Sequence, residues 1–107
     1  METFTIKQGD TFPTLVATLK DPSGQPVNLS NSTITFKMVD VTGVVKVSAP
    51  ATGIDPSNGR VSYSWSTQDT EDFGDYKAVF EVTNQQNKKE TYPNTQPLAV
   101  MIVKGLV

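Results

Sequence analysis

The chain has neither cysteine nor histidine among its 107 residues. Without cysteine it has no disulfide framework, no thiolate nucleophile and no cysteine zinc site. Without histidine it lacks the side chain that titrates near neutral pH, and with it the commonest catalytic triads and the imidazole metal ligands. We therefore expect a protein that is not an enzyme and that uses no cofactor.

Positive charge is also scarce. Nine basic residues stand against eleven acidic ones, and Arg60 is the single arginine. Nucleic-acid binding requires a basic surface, and bidentate recognition of phosphate requires arginine. The longest apolar run, Leu98 to Val103, is far too short to cross a bilayer, and no signal peptide is evident at the N-terminus. These features predict that neither nucleic acid nor membrane is a partner.

Residues that favour strands are abundant. The chain has 14 threonines and 13 valines against five leucines and five alanines. Side chains branched at Cβ suit a pleated surface and lose rotamer freedom in a helix. Seven glycines and seven prolines divide the chain into short pieces, and no apolar pattern at helical spacing lasts for three turns. The composition predicts an all-β protein.

Alternating apolar and polar side chains predict the individual strands. The apolar rows are Phe4 and Ile6; Leu15, Ala17 and Leu19; Ile34, Phe36 and Met38; Val61, Tyr63 and Trp65; and Tyr76, Ala78, Phe80 and Val82. Further strands are predicted around Val44 to Ala49, Lys88 to Tyr92 and Leu98 to Val103, with a loop from Ala51 to Asn58. Seven or eight mostly antiparallel strands with one apolar face each predict a β-sandwich, and a small closed barrel is the rival architecture.

One motif points to the kind of sandwich. The spacing Asp72-x-Gly74-x-Tyr76-x-Ala78 resembles the tyrosine corner of immunoglobulin-like domains, in which the tyrosine hydroxyl bonds backbone at the crossover between the sheets. Ala78 stands where antibody domains place their second cysteine, and Trp65 lies on a later strand than the antibody tryptophan does. The resemblance implies an immunoglobulin-like β-sandwich without a disulfide, with Asp72, Gly74 and Tyr76 as its structural corner.

A second resemblance covers nearly the whole chain. The segments that carry it are Phe4 to Thr11, Pro13 to Leu19, Gly24-x-Pro26-Val27-x-Leu29, Gly59-x-Val61-x-Tyr63-x-Trp65, Gly74-x-Tyr76-x-Ala78-x-Phe80, Thr91-Tyr92-Pro93 and the last apolar strand. In order and spacing they are similar to the N-terminal domain of phage baseplate upper proteins. Domains of this family occur in the tails and baseplates of phages that infect Gram-positive bacteria.

The family resemblance implies a structural role. It leads us to expect a single domain over residues 1–107, either the N-terminal part of a longer tail protein or a small standalone tail component. The domain would dock onto the tail core and support host attachment, with the distal tail or hub protein and copies of itself as partners. It would be made in the host bacterial cytoplasm and reside in the virion.

A cluster of carboxylates precedes the tyrosine corner. Asp69, Glu71, Asp72 and Asp75 lie within seven residues, and carboxylate oxygens are the ligands that calcium prefers. The EF-hand spacing is not met, because Phe73 occupies a ligand position. Paired-carboxylate catalysis would need a substrate cleft. We expect a solvated loop and no metal.

Aromatic side chains suggest an alternative function of another class. Tyr63, Trp65 and Tyr92 could stack on sugars, which would make the chain a carbohydrate-binding or adhesin-type domain that recognises host cell-wall glycans. Tyr63 and Trp65 share a face with Val61 and lie opposite a row of serines, which favours core packing for both. Tyr92 is less constrained and is the candidate glycan contact.

The last strand differs from the others because both of its faces are apolar. Leu98, Val100 and Ile102 form one face, and Ala99, Met101 and Val103 form the other. A strand with two apolar faces needs two covers. The second cover is either the segment Ala51 to Asp55 of the same domain or a neighbouring subunit. The second explanation makes Ala99, Met101, Val103, Leu106 and Val107 a candidate interface.

Overall fold

The computed structural model describes residues 3–92 and 98–105, which form nine strands and two short 3₁₀ helices. The strands are β1 (Thr3–Lys7), β2 (Leu15–Thr18), β3 (Thr33–Asp40), β4 (Val45–Pro50), β5 (Thr52–Asp55), β6 (Arg60–Tyr63), β7 (Gly74–Thr83), β8 (Lys89–Tyr92) and β9 (Leu98–Val103). The 3₁₀ helices span Pro56–Asn58 and Thr67–Thr70. The alternating rows of the sequence therefore predicted the strands correctly, to within a few residues.

The strands form two sheets. The larger has the order β1-β9-β7-β3-β4, with β8 paired to the second half of β7, and the smaller has the order β2-β6-β5. The pairing of β1 with β9 is parallel, and the other strand pairs are antiparallel. This arrangement confirms the predicted immunoglobulin-like β-sandwich without a disulfide.

Two details of the prediction were wrong. The structure has nine strands where seven or eight were expected, and the predicted loop from Ala51 to Asn58 contains β5 and a 3₁₀ helix. The β5 sequence Thr-Gly-Ile-Asp has no apolar alternation, and its one large apolar side chain, Ile54, is 48% exposed. Backbone pairing with β6 defines this strand instead, and its register shifts between Gly53 and Asp55. Such pairing leaves no periodic signal in the sequence.

The core lies between the two sheets and is rich in aromatic side chains. Phe36 on β3 is fully buried and stacks on Tyr63 of the opposite sheet, with ring centroids 4.3 Å apart. Trp65 meets Phe36 edge-on at 5.5 Å, and Phe80 lies 5.3 Å from Phe36 within its own sheet. Tyr63 and Trp65 are 6% and 4% exposed, which confirms their prediction as core residues.

Three turns share one hydrogen-bond pattern. In each, a side-chain oxygen accepts from the backbone N–H groups two and four residues later at 2.9–3.0 Å; the acceptors are Asp21, Asp40 and Asn84. The Ser23 and Thr42 hydroxyls also donate to these aspartates and are the main reason that the pKa values of Asp21 and Asp40 are lowered. These turns are local structures in which a short side chain replaces a backbone acceptor.

Gly59, which follows the first 3₁₀ helix, is required by both its conformation and its surroundings. Its φ is +73°, in the left-handed region. A Cβ at this position would lie 2.6 Å from the backbone oxygen of Leu19 and 2.9 Å from that of Val27. The Leu19 oxygen cannot move alone, because it accepts from the Val27 N–H and the Leu19 N–H donates to the Gly59 oxygen.

The substitution Gly59→Ala is expected to destabilise the domain more than Gly43→Ala does. Both glycines have positive φ, but a Cβ at Gly43 would meet nothing within 4 Å. Gly43→Ala therefore measures the conformational cost alone, about 1–2 kcal/mol. Gly59→Ala adds the backbone clash, about 1–3 kcal/mol more. Urea unfolding of both variants measures the difference, and equal losses would contradict the assigned clash.

Candidate functional site

The candidate interface lies on β9, whose position in the larger sheet explains its two apolar faces. β9 runs between β1 and β7, so Leu98, Val100 and Ile102 point into the core and are at most 8% exposed. On the opposite face Met101 is 41% exposed, between the partly buried Ala99 and Val103. The outer face of this central strand is therefore an apolar stripe at the surface.

Polar residues border the stripe on both sides. In register, Thr5 of β1 and Asp75 of β7 lie beside Met101. The other cross-strand neighbours of the stripe are Thr3 and Lys77 beside Ala99, and Lys7 beside Val103. An apolar centre within a polar rim is the usual composition of a protein–protein interface.

Of the two covers proposed for this face, the one within the domain lies on the wrong side of the sheet. The segment from Ala51 to Asp55 contains β5, which belongs to the smaller sheet and therefore packs on the inner side of the larger one. It cannot cover Met101, so the explanation by burial within the domain was wrong. Leu106 and Val107 lie outside the described residues.

The crossover from β6 to β7 brings together the three residues of the predicted corner. Gly74 begins β7 with φ +147°, and Tyr76 is 8% exposed. The Tyr76 hydroxyl donates to the backbone oxygen of Asp72 at 2.8 Å. Burial is the main cause that raises the pKa of Tyr76 above its ordinary value. This bond closes the loop where the chain passes from the smaller sheet to the larger.

The carboxylates before the corner make structural bonds. The Asp69 carboxylate accepts from the Tyr63 hydroxyl at 2.6 Å and from the Ser66 backbone N–H at 2.9 Å. The Ser66 hydroxyl accepts in return from the Asp69 N–H, which completes a capping box on the second 3₁₀ helix. The spacing Ser66-x-x-Asp69 is a recognisable capping signal, so this role of Asp69 was readable in the sequence and was missed.

The remaining carboxylates of the cluster point elsewhere. Lys46 of β4 binds Asp72 at 2.9 Å and Glu71 at 3.3 Å, and its hydrogen bond to Asp72 is the main cause that raises the Lys46 pKa. Asp75 lies on the outer face of β7. Within residues 3–92 and 98–105, no three carboxylates are grouped so that they could hold a metal ion.

The loop between β1 and β2 is tied to the same crossover. The Gly9 N–H donates to the Thr70 oxygen at 2.9 Å, and the fully buried Thr70 hydroxyl donates to the Asp10 oxygen at 2.9 Å. The Gln8 side-chain amide donates to the Glu71 oxygen at 2.7 Å. These bonds fix the ends of β1 and β7, the two strands that border β9.

The aromatic side chains do not form a sugar platform. Tyr92 is 4% exposed, and its hydroxyl donates to the Glu90 carboxylate at 2.9 Å. Its ring therefore offers no free face for stacking, and the structure does not support Tyr92 as a glycan contact. Tyr63 and Trp65 are buried between the sheets. Nε1 of Trp65 is buried without a hydrogen-bond partner among the described residues.

Comparison with known proteins gives one family and several similar folds. Residues 2–107 match the family BppU N-terminal domain, where BppU stands for baseplate upper protein. No curated protein matches the chain. In the described part of the chain, no helix is long and apolar enough to cross a membrane.

Two solved structures are similar to this one. The N-terminal domain of phage TP901-1 ORF48 superposes with a TM-score of 0.73 at 19% identity, over 95% of this chain and 85% of that chain. CopC from Methylosinus trichosporium OB3b has a TM-score of 0.57 at 13% identity, over 100% of this chain and 89% of that chain. At these identities the two likenesses show a shared fold.

The substitution Tyr76→Phe tests the corner bond. It removes the hydroxyl and keeps the buried ring, so we expect a loss of about 1–2 kcal/mol in the free energy of unfolding. The control is Tyr92→Phe, whose lost hydroxyl is bonded to the exposed Glu90, and we expect it to cost at most about 0.5 kcal/mol. Chemical unfolding measures both. A cost for Tyr76→Phe no larger than that of the control would contradict the role of the corner.

Alkaline pH should unfold the domain through its tyrosines. Burial is the main cause that raises the pKa of Tyr92 to about 12, and burial also raises those of Tyr63 and Tyr76. Below the ordinary tyrosine pKa of about 10, the tyrosines are neutral in both the folded and the unfolded state, so the stability that depends on the neutral phenols is fully present. Above it the unfolded chain loses its protons first, so stability falls as the pH rises toward 12.

Phenolate absorbance checks this prediction because the chain has three tyrosines and all three are buried. In the native protein the absorbance should stay low through about pH 11 and then rise together with loss of the far-ultraviolet circular dichroism. In denaturant it should rise around pH 10. Ordinary titration near pH 10 in the folded protein would show that the hydroxyls are accessible.

Proposed function

Because this chain belongs to the BppU N-terminal domain family, we propose that it docks onto the tail core or neighbouring subunits through the outer face of β9 and so supports host attachment. The chain is a structural component of a phage baseplate, located in the virion tail. Its partners are other tail or baseplate proteins.

The exposed Met101 on an interior strand of the six-stranded sheet supports the proposal. On the neighbouring strands β1 and β7, the residues directly beside Met101 are polar, namely Thr5 and Asp75. A partner that covers it would bury the Met101 side chain together with Ala99 and Val103. Burial of apolar surface contributes roughly 25 cal/mol for each Å² removed from water.

The rim makes the contact specific. Lys7, Lys77 and Asp75 surround the stripe, and charged rim residues set orientation and association rate more than affinity. The distal tail or hub protein is the proposed partner, and copies of the same domain are the other partners that a repeated baseplate component would meet. The chain would be made in the host cytoplasm and join the baseplate during assembly.

We also propose that the domain has no catalytic activity. The chain contains no histidine and no cysteine. Asp69 is bonded to Tyr63 and Ser66, and Asp72 and Glu71 are paired with Lys46. These carboxylates hold the crossover together, and none of them forms an acid–base pair at a cleft.

The substitution Met101→Asp should weaken assembly at least about tenfold, since it places a charge at the centre of an apolar contact. Val45→Asp is the matched control, because Val45 lies on edge strand β4 of the same sheet and is 48% exposed. Binding of each variant to the purified hub protein is measured by size exclusion with light scattering.

A milder variant separates docking from folding. Met101→Thr replaces the thioether with a residue that strands favour and that matches the neighbouring Thr5, so it should keep the monomer folded and still weaken the complex. Circular dichroism and thermal unfolding check that both variants are native. Unchanged binding of folded Met101→Asp and Met101→Thr would rule out the β9 face as the docking surface.

A further inference from the structure

The free edge of β2 is unlike the other sheet edges. Natural proteins protect edge strands with charges, prolines or bulges, because the unpaired backbone groups of an edge recruit other strands. The protecting features are Lys7 in β1, Lys46 and Pro50 in β4, a register shift and Asp55 in β5, and Lys89 and Glu90 in β8. β2 has the sequence Leu-Val-Ala-Thr and has none of them.

The backbone of β2 is paired on one side. Among residues 3–92 and 98–105 its strand partner is β6, in a regular antiparallel register from Leu15 opposite Tyr63 to Thr18 opposite Arg60. No described residue pairs with the other side of β2, which therefore presents backbone donors and acceptors to an incoming strand. Val16, near the middle of this edge, is 47% exposed.

An apolar groove runs beside the free edge. It has a volume of about 350 Å³ and is lined by Thr3, Phe4, Leu15, Val16, Ala17 and Leu98, none of which is charged. The ring of Phe4 forms part of the groove and stacks on Trp65 behind it, with centroids 5.7 Å apart. The site therefore combines unpaired backbone groups with an apolar recess, which is the chemistry that an added β-strand requires.

We propose that the strand added at this edge is β2 of a second copy of the chain, antiparallel to the first, with a twofold axis at Val16. In this register Val16 faces its own counterpart and Leu15 faces Ala17 of the other copy. Residues directly opposite in an antiparallel pair lie on the same face of the sheet. The core-facing side of one small sheet thus continues into that of the other, and the two grooves adjoin.

The sequence of the strand favours a second copy over an unrelated segment. β2 contains no charge, so the symmetric pairing brings no like charges together along the seam. About the axis Val16 faces Val16 and Leu15 faces Ala17, so each of these pairs is apolar. An interface in which both partners use the same patch closes on itself, as most dimers do.

The size of the seam sets the expected strength. Three paired β2 residues from each copy and two adjoining grooves are a small contact beside the roughly 800 Å² per partner of a standard interface. We therefore expect a weak dimer, with a dissociation constant between about 1 μM and 1 mM. Several copies held in one baseplate would raise their effective concentration and strengthen the pairing.

Opposite charges at Val16 test the proposal. Val16→Lys and Val16→Glu each place like charges on the axis and should weaken dimerisation at least about tenfold, whereas an equimolar mixture of the two should restore a heterodimer. Val45→Lys, at an edge position with 48% exposure, is the control and should leave the dimer unchanged. Sedimentation equilibrium measures each association constant.

A single introduced cysteine gives a second readout, because the natural chain has none. Under mild oxidation Val16→Cys should form a disulfide-linked dimer at least about tenfold faster than Val45→Cys, since the axis at Val16 brings like positions together. Equal rates would overturn the proposal, as would a wild-type chain that stays monomeric up to about 1 mM.

The inference goes beyond the proposed docking function and can fail independently of it. Val16 lies in the smaller sheet and Met101 in the larger. Loss of the dimer in Val16→Lys with hub binding unchanged supports the β2 seam. A dimer that persists in Val16→Lys and disappears in Met101→Asp would overturn it and assign self-association to the β9 face.

Discussion

The contact between Phe36 and Tyr63 is the interaction on which the rest of the structure depends. It joins the two sheets with ring centroids 4.3 Å apart in a chain with no disulfide, so no covalent cross-link holds the sandwich together. Phe36 is fully buried and also meets Trp65 and Phe80, which makes it the centre of the aromatic core. Offset aromatic pairs of this kind contribute about 0.5–1.5 kcal/mol beyond their buried area.

This core contact is linked to the crossover through hydrogen bonds. Tyr63 stacks on Phe36 with its ring and donates its hydroxyl to Asp69, which caps the second 3₁₀ helix. That helix ends at the buried Thr70, which bonds the loop after β1. The position of β1 beside β9 is therefore coupled to aromatic packing in the core.

The parts that were predictable from the sequence are those with a periodic or local signal. Alternation placed Phe36, Val61 and Tyr76 on core faces, and in the structure these residues are 0%, 0% and 8% exposed. β5 was missed because its four residues, which include Gly53, show no apolar alternation, and only its backbone pairing with β6 defines it as a strand. The parallel pairing of β1 with β9 joins the two ends of the chain, and no local pattern encodes a contact so distant along it.

The absence of charge in two strands has different consequences because of where they lie. β9 is an interior strand whose backbone is paired with β1 on one side and β7 on the other. Its uncharged outer residues therefore offer a surface around Met101, with no free backbone edge. β2 is at an edge of the described part of the smaller sheet, so its backbone groups on one side have no described partner, and no charge in β2 opposes another strand. An apolar face can bind partner surfaces of many shapes, whereas a strand edge binds an extended segment that pairs with its backbone. The two surfaces meet at Thr3, which lies beside Ala99 at the rim of the stripe and also lines the groove next to β2, so partners bound at the two surfaces would be close neighbours.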